Sequence, residues 1–217
     1  MDGVIVEMSE RDVFGQMAFD EALAKSKPEA FCIRFFRWQG AGATFGYAQR
    51  IREVERVLPP GVGKAYTRRP TGGGIVPHLD DLTFSCVFPA DGILRPMTIY
   101  RRLHVAIQAG LCAEGLDVRL CNLSGNPAPH GPEGATQCFE QPVALDIMMA
   151  QGKILGGAIR RYGSTVLYQG SLQLPVARKR SAELEALVLR CLAAEWGLQW
   201  SRRKPEPAVQ TEATARD

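Results

Sequence analysis

The sequence lacks the segments that would place it in or across a membrane. No apolar run approaches the roughly 18 residues that a membrane-spanning helix needs. Met1-Asp2-Gly3 is followed by Glu7, Glu10 and Asp12 rather than by a basic start and an apolar stretch, so we predict no signal peptide. We therefore expect a cytoplasmic protein that does not act at a membrane.

The sequence also lacks a large excess of charge and the residue spacings that hold metal ions. Lys and Arg number 26 against 23 Asp and Glu, and a net charge of +3 is too small to argue for nucleic acid. The six cysteines form no C-x-x-C pair and have no zinc-like spacing with the three histidines. We expect no metal, no nucleic-acid partner and mostly free, buried thiols.

The 217 residues contain short strand and helix patterns in mixed order. Periodicity predicts strands over residues 4–8, 31–38, 64–69, 82–88, 117–121 and 164–174, and a hairpin of 143–149 with 153–161. Helices are predicted over 14–25, 50–57, 99–114 and 182–196, the last two with Thr98 and Ser181 as N-caps. Because no regular βαβ alternation appears, we predict an α+β fold, a mixed sheet with flanking helices.

The domain organisation follows from the same patterns. No internal repeat or linker divides the chain, so residues 1–201 are predicted to form a single catalytic domain. The segment 202–217 is polar and rich in Pro, Ala and Thr, and it is predicted to be a disordered tail.

Three consecutive glycines stand between two predicted strands, in Arg68-Arg69-Pro70-Thr71-Gly72-Gly73-Gly74. Glycines let the backbone take positive φ and approach a ligand closely, and exposed N–H groups can hold an acyl carbonyl or a phosphate. Arg68 and Arg69 add planar cationic donors, and His78 follows shortly after. The pattern is neither the dinucleotide-binding G-x-G-x-x-G nor a Walker loop. A tight turn with solvated arginines is the alternative interpretation.

Lys153 and Cys138 are the candidate catalytic residues. Lys153 begins an apolar strand after a glycine turn; such a lysine is usually solvated, but here it could orient a carbonyl or stabilise developing negative charge. Cys138 ends a Pro/Gly-rich loop over residues 122–137. A cysteine is usually a packing residue, and a nucleophilic one needs an accessible position and a neighbour that favours the thiolate. Sequence spacing alone does not bring the two side chains together.

These segments resemble the superfamily of lipoate–protein ligases, octanoyltransferases and biotin ligases, most closely the Cys-dependent octanoyltransferases and lipoyl amidotransferases. The resemblance covers most of residues 14–174. The segment from Arg68 to His78 resembles the family's R-R-x-x-G-G-G-x-V-x-H loop. Gly152-Lys153-Ile154 is similar to the G-K-I segment with the essential lysine, and Cys138-Phe139 to a Cys-Phe element upstream of that lysine.

The resemblance implies a catalytic domain like that of biotin ligases and class II aminoacyl-tRNA synthetases. It also implies transfer of an octanoyl or lipoyl group from acyl carrier protein to a lipoyl-domain lysine, through a Cys138 acyl-enzyme with Lys153 beside it. The acceptor would be a lipoyl-domain protein such as glycine cleavage H protein or 2-oxoacid dehydrogenase E2, and no cofactor would be needed. The substrate-binding residues would be Arg68, Arg69, Gly72, Gly73, Gly74, His78, Gly156 and Gly157.

Other functions stay open at this point. An ATP-dependent lipoate–protein ligase usually carries a further C-terminal domain, which disfavours it here, and a biotin ligase would need a G-R-G-R-x-G loop. Transfer from one lipoyl domain to another, or non-catalytic binding of carrier proteins, is also compatible with the sequence. Two departures from the family pattern affect substrate detail: Ile159 replaces a glutamine and Gln169 replaces a histidine.

Overall fold

The computed structural model describes residues 1–90, 95–122 and 142–214. The first half of the chain contains β1 (Asp2–Val6), α1 (Val13–Lys25), β2 (Phe31–Phe35), β3 (Gly42–Phe45), α2 (Ile51–Arg56), β4 (Tyr66–Arg68), β5 (Val76–His78), β6 (Leu82–Pro89) and α3 (Pro96–Ala113). The second half contains β7 (Arg119–Leu120), β8 (Ile147–Met149), β9 (Gly152–Tyr162), β10 (Thr165–Leu172), α4 (Ser181–Trp196), β11 (Gln199–Arg203) and α5 (Pro207–Thr214).

The strands form one large mixed sheet and one small sheet. The large sheet has the order β11-β1-β2-β6-β10-β9-β8-β7, and the small sheet has the order β4-β3-β5. Strand β1 is parallel to both of its neighbours, while β6, β10 and β9 are antiparallel to theirs. The prediction of an α+β fold with a mixed sheet and flanking helices is therefore confirmed.

The central strands are buried on both faces, and their side chains alternate between two cores. One face packs against α3 and α4 and includes Ile33, Cys86 and Tyr168. The opposite face packs against α1 and α5 and includes Val87 and Leu167. This alternation follows from the two-residue period of a β-strand. Because both faces are covered, β2, β6 and β10 consist almost wholly of buried residues.

The α1 face of the central strands changes from apolar to polar along the strand direction. Val87 and Leu167 lie in the core beneath α1 and α5. Two residues further along each strand, Ser85 and Gln169 are also buried, and they are directly paired across β6 and β10. Buried polar groups need hydrogen-bond partners, so this region requires a dedicated network, and it borders the small sheet.

Two helix starts differ from the sequence predictions. Helix α3 begins at Pro96 with Arg95 in extended conformation as its N-cap, and α4 has Arg180 as its N-cap. The N-cap predictions for Thr98 and Ser181 are therefore wrong. Proline is favoured in the first helical turn because its missing N–H has no intrahelical acceptor there, and this preference sets the start of α3 one turn earlier than a threonine cap would.

The C-terminal segment is also more ordered than the sequence predicts. Strand β11 pairs in parallel with β1, and α5 follows it. Val209 and Ala213 of α5 are buried in the same core as α1. Residues 202–214 thus belong to the folded unit rather than to a disordered tail, because β11 pairs with β1 and the two buried residues of α5 pack into the core. The assignment of residues 1–201 to one catalytic domain stays a prediction.

Membrane insertion finds no support in the helices of the described ranges, since none is both long and apolar enough to cross a bilayer.

Candidate active site

A narrow cleft lies between the small sheet and the polar end of the large sheet. Its apolar and small lining residues are Met17, Phe36, Val76, Gly156, Gly157, Ala158 and Gly170. Its polar lining residues are Thr44, Arg69, His78, Thr83, Gln169 and Ser171. In the register of β9 with β10, Gly156 pairs with Ser171 and Gly157 pairs with Gly170. The small side chains of these paired residues leave room for a slender apolar group.

Lys153 lies beside this cleft with its side chain almost wholly buried. Its Nζ is 2.9 Å from Oδ2 of Asp146, and the exposed fractions of the two side chains are 2% and 0%. The register between β8 and β9 is irregular here, because one step from Ile147 to Met148 matches two steps from Leu155 to Lys153. Such bulges redirect side chains and are frequent next to active sites. The irregularity falls at Lys153 itself.

Gly156 and Gly157 are needed because two large side chains cross them. A Cβ on Gly156 would lie 2.1 Å from Cε and 2.4 Å from Nζ of Lys153. A Cβ on Gly157 would lie 2.4 Å from the ring of Tyr168. The first glycine therefore makes space for the lysine at the cleft, and the second makes space for an aromatic ring packed in the core on the α3 side.

Gly156→Ala is expected to displace the Lys153 ammonium without preventing folding. The atoms that an added methyl would strike are the far end of the Lys153 side chain rather than backbone, so the side chain can shift while it stays paired with Asp146. If the ammonium acts in catalysis, the displacement should lower activity about 10- to 100-fold, as a misplaced catalytic group does, while the melting temperature falls by only a few degrees. The control is a double-mutant cycle: in a chain that already carries Lys153→Met, the same glycine change should have little further effect.

A buried aromatic cluster lies behind the ion pair. Tyr100 donates its hydroxyl hydrogen to Oδ1 of Asp146 at 2.5 Å and accepts the N–H of Gly157 at 3.1 Å. His104 stacks on Tyr100 with ring centroids 3.9 Å apart. Burial, and next the charge of Asp146, raise the pKa of Tyr100 well above its ordinary value. Tyr100 is thus a neutral hydrogen-bond donor at every working pH.

His104 is held as a neutral ring. Its Nδ1 is 2.9 Å from the Leu145 carbonyl oxygen, which can only accept, so Nδ1 carries the proton. Its Nε2, 2.9 Å from the Tyr168 hydroxyl, then accepts from that group. Burial lowers the pKa of His104 from 6.5 to about 3, and the nearby Lys153 charge acts in the same direction.

Acid is expected to destabilise the fold through His104. A group whose pKa is lowered on folding gives its full stabilisation above its unfolded pKa and loses it as the pH falls towards the folded pKa. Between pH 6.5 and about 3, this histidine should therefore steepen the loss of unfolding free energy by about 1.4 kcal/mol per pH unit. Urea unfolding at pH 7.5, 6 and 5 measures the slope. Glutamine at this position can keep both hydrogen bonds, so an equal slope in His104→Gln would contradict the assignment.

The two arginines before the glycine loop make contacts mainly with the backbone. Arg69 is buried and donates to the Gly72 carbonyl through Nε and Nη2, at 3.1 and 2.6 Å, and to Thr44 through Nη1. Arg68 donates to the Tyr47 and Gln49 carbonyls, and its guanidinium lies over the ring of Phe45. Arg69 therefore braces the glycine loop at Gly72 against the small sheet, while Arg68 holds the turn at Tyr47 and Gln49.

His78 belongs to a second buried network, which also lines the cleft and includes Ser171, the strand partner of Gly156. Its Nδ1 is 2.8 Å from Oδ2 of Asp81, its Nε2 is 3.0 Å from the Thr44 hydroxyl, and its ring stacks on Trp38. Burial alone would raise the pKa of Asp81, but the His78 charge and hydrogen bonds from His78, Thr83 and Ser171 outweigh it and lower that pKa. Asp81 is therefore a carboxylate that orients the imidazole.

Gln169, which stands where the family pattern has a histidine, connects the glycine loop to the core beneath α1. Its amide nitrogen donates to Asp20 at 2.6 Å, and its amide oxygen accepts the Thr71 hydroxyl at 2.6 Å. Asp20 also pairs with the fully buried Arg34 at 2.5 Å. Glutamine has both a donor and an acceptor at every pH, so this connection does not depend on protonation. Ile159, the other departure, packs partly against the core.

A charged groove adjoins the cleft and shares Met17 and Arg69 with it. Arg68, Arg69 and Arg160 supply its positive charge, and Glu21 supplies a carboxylate. Arg160 lies over the ring of Tyr47 at 4.6 Å and donates to the Pro70 carbonyl at 2.9 Å. Phe14 and Tyr47 line the groove and are exposed by 43% and 58%. The sequence does not predict Arg160 or Tyr47 as site residues. Only the charge of Arg160 and the aromatic ring of Tyr47 indicate them there.

The structure brings some of the predicted site residues together and separates others. Arg69, His78, Gly156 and Gly157 line the cleft, and Arg68 lines the adjoining groove. Gly72, Gly73 and Gly74 lie in the braced loop rather than in the cleft lining, and Gly73 has a φ of +92°. Cys138 lies outside the described residues.

Comparison with known proteins identifies the family. The model of the lipoyl protein ligase A/B catalytic domain matches residues 12–185. The octanoyltransferase LipM of Moorella thermoacetica is 33% identical over 174 residues, which cover 75% of this chain and 62% of the relative. The chain thus spans about three fifths of the length of this relative, and its end does not separate ligases from transferases.

Two solved structures share the fold. A putative lipoate protein ligase from T. acidophilum with bound lipoic acid is 22% identical, with a TM-score of 0.78 over 99% of this chain and 94% of that one. A lipoate-protein ligase A bound with ATP is also 22% identical, with a TM-score of 0.77 over the same shares. This likeness shows the fold, and the match of the family model over most of the chain shows that the chain belongs to the lipoyl protein ligase A/B catalytic domain family.

Proposed function

We propose that this chain is an acyltransferase of protein lipoylation, which moves an octanoyl or lipoyl group from acyl carrier protein to the lysine of a lipoyl domain. The observation that carries the proposal is the buried Lys153 ammonium, held by Asp146 at the wall of a narrow, largely apolar cleft. A buried cation costs free energy unless it is paired, and beside an acyl-sized cleft it can stabilise negative charge on a carbonyl oxygen. The name of the Moorella relative, octanoyltransferase, supports transfer of an octanoyl group.

The groove beside the cleft supports a carrier-bound donor. Arg68 and Arg160 give it positive charge and Tyr47 gives it an exposed ring, so it suits an arm that combines a phosphodiester with uncharged amide groups. The groove meets the cleft at Met17 and Arg69. An acyl group at the end of such an arm would enter the cleft while its phosphate stays in the groove.

Cys138 remains the proposed nucleophile. Four residues lie between it and Val143, whose N–H donates to Asp146 at 2.7 Å. Since an extended chain covers about 3.5 Å per residue, chain length permits the thiol to approach Lys153. A neighbouring ammonium favours the thiolate over the thiol, which would make Lys153 both an activator of the thiol and a binder of the carbonyl oxygen.

The proposed reaction has two transfer steps. The Cys138 thiolate attacks the thioester carbonyl, the bond from that carbon to the carrier sulfur breaks, and the carrier leaves as a thiol after taking a proton. The uncharged amine of the acceptor lysine then attacks the acyl-enzyme carbonyl and the bond from that carbon to the Cys138 sulfur breaks. An amide forms as the nitrogen loses one proton to solvent, and Cys138 returns as the thiolate. Neither step requires ATP or a metal ion.

The location of the protein in the cytoplasm stays a prediction.

Donor choice tests the proposal directly. The purified chain is incubated with a lipoyl domain and one of three donors: octanoyl carrier protein, an octanoylated lipoyl domain, or free octanoate with ATP. Intact-mass spectrometry follows both proteins. We expect rapid modification of the lipoyl domain with octanoyl carrier protein and one octanoyl adduct on the chain.

Each other donor has its own outcome. Modification that requires ATP and a free acid would replace the proposal with a ligase, and modification from the octanoylated lipoyl domain alone would replace it with an amidotransferase. If none of the three donors modifies the lipoyl domain, the proposed activity is wrong for this chain. A chain carrying Lys153→Met serves as the inactive control.

A further inference from the structure

We infer that Tyr100 and Asp146 form a positioning pair that fixes the Lys153 ammonium at the cleft. This inference rests on the proposed function, because it assigns a role to residues behind the lysine on which that function depends. The pair connects three separate elements: Tyr100 on α3, Asp146 just before β8, and Lys153 on β9.

The Asp146 carboxylate is fully buried, and three donors occupy it. Lys153 Nζ lies 2.9 Å from Oδ2, the Val143 N–H donates to Oδ2 at 2.7 Å, and the Tyr100 hydroxyl donates to Oδ1 at 2.5 Å. A carboxylate held from both oxygens has one orientation, and a charge-assisted contact to it is both short and directional. Asp146 therefore sets where the lysine ammonium stands.

These contacts also define what Asp146 does not do. A general base must offer a free oxygen within hydrogen-bond reach of the proton that it removes. Here three donors from within the protein already occupy the carboxylate, and its side chain is fully buried behind Lys153 with no exposed surface. We therefore assign Asp146 a positioning role rather than that of a base for the acceptor lysine.

Tyr100 extends the same restraint to the cleft wall. Its hydroxyl accepts the N–H of Gly157, which lines the cleft, while donating to Asp146. One hydroxyl thus ties the cleft wall to the counter-ion of the lysine. Because α3 packs through Ile99 and Leu103 into the main core, Tyr100 has little freedom to move. The lysine is consequently placed relative to the backbone that would surround the acyl carbonyl.

The first experiment compares steady-state kinetics of three proteins: wild type, Tyr100→Phe and Tyr168→Phe. The two tyrosines are both buried in the same core, but the Tyr168 hydroxyl bonds to His104. We expect Tyr100→Phe to lower kcat about tenfold with KM for the acyl donor changed less than about twofold. The reason is that the misplaced lysine would act in the chemical step and not in donor binding. Each substitution removes one buried hydroxyl, so both variants should lower the melting temperature by a similar amount. Tyr168→Phe should nevertheless leave kcat within about twofold of wild type.

The second experiment compares kcat and KM of Asp146→Asn and Asp146→Glu. Asparagine removes the carboxylate charge that holds the ammonium, whereas glutamate keeps it. We expect Asp146→Asn to lower kcat about 100-fold with KM for the acyl donor changed less than about twofold, and Asp146→Glu to recover about tenfold of that loss. A kcat of Asp146→Asn that matches wild type, or equal kcat for the two tyrosine variants, would overturn the inference.

A third measurement does not depend on activity. Lysines are labelled at pH 8 with trace acetic anhydride and quantified by peptide mass spectrometry, with exposed Lys27 and Lys64 as internal standards. Lys153 should react slowly in wild type, where its ammonium is buried and held by Asp146, and about tenfold faster or more in Asp146→Asn, where the carboxylate that holds it is absent. If no donor supports transfer in wild type, the proposed function fails, but this labelling difference still decides whether Asp146 holds the ammonium.

Discussion

Replacement of Lys153 by methionine is expected to lower acyl transfer about 100- to 1000-fold, the usual cost of removing one group that stabilises an oxyanion. The side chain is buried and its Nζ stands over Gly156 in the cleft wall. Methionine has a similar length and fills similar space without a charge. A discontinuous assay with octanoyl carrier protein and a lipoyl domain can measure the loss.

The same substitution is expected to destabilise the fold, so activity must be separated from folding. Removing one partner of a buried ion pair leaves an uncompensated charge and costs about 3–5 kcal/mol, and Asp146 would be that charge here. The double variant Lys153→Met with Asp146→Asn removes both charges and should recover most of the unfolding free energy. We expect it to remain inactive, which would show that the loss does not come from misfolding. Transfer within about tenfold of wild type in either variant would remove Lys153 from the mechanism.

The sequence predicted most strands and helices of the fold because their signals are local. The central strands β2, β6 and β10 are apolar and β-branched or aromatic enough to be recognised from their residues alone. The sequence does not predict the end of β11 or α5. Strand β11 is stabilised by pairing with β1, and α5 by burial of Val209 and Ala213. A polar segment held by distant partners has no local periodicity to reveal it.

The candidate site could be predicted in part for a similar reason. Glycine clusters and the lysine turn are visible in the sequence, but the reason for each glycine is a neighbour in space, such as Lys153 over Gly156. Asp146 stands seven residues before Lys153, and Tyr100 lies in a different helix. No spacing rule joins a helix residue to a carboxylate 46 positions later, so the positioning pair required coordinates. Arg68, Arg69 and Arg160 cannot be told apart in the sequence. Their contacts show that Arg69 bonds to the glycine loop and that Arg68 and Arg160 line the groove.

Replacement of Cys138 by alanine is expected to abolish the octanoyl adduct and to reduce transfer to a lipoyl domain by about 1000-fold or more, because the covalent route is lost. Intact-mass spectrometry after mixing with octanoyl carrier protein gives the readout. Wild type should gain one octanoyl group within the dead time, and the variant should gain none. An adduct that survives the substitution would remove Cys138 from the role.

Three cysteines among the described residues, Cys32, Cys86 and Cys121, are compared with Cys138 as possible nucleophiles. Cys32 and Cys86 are buried in the core, where burial raises the pKa of each thiol, of Cys32 to about 11, so neither is a reactive thiolate. Cys121 is the rival by position: it is half-buried, and its N–H donates to the Asp146 carbonyl at 2.7 Å. Cys121→Ala should therefore retain the full adduct if Cys138 is the nucleophile. An adduct lost in Cys121→Ala and kept in Cys138→Ala would move the covalent step to Cys121 and leave the Lys153 site in place.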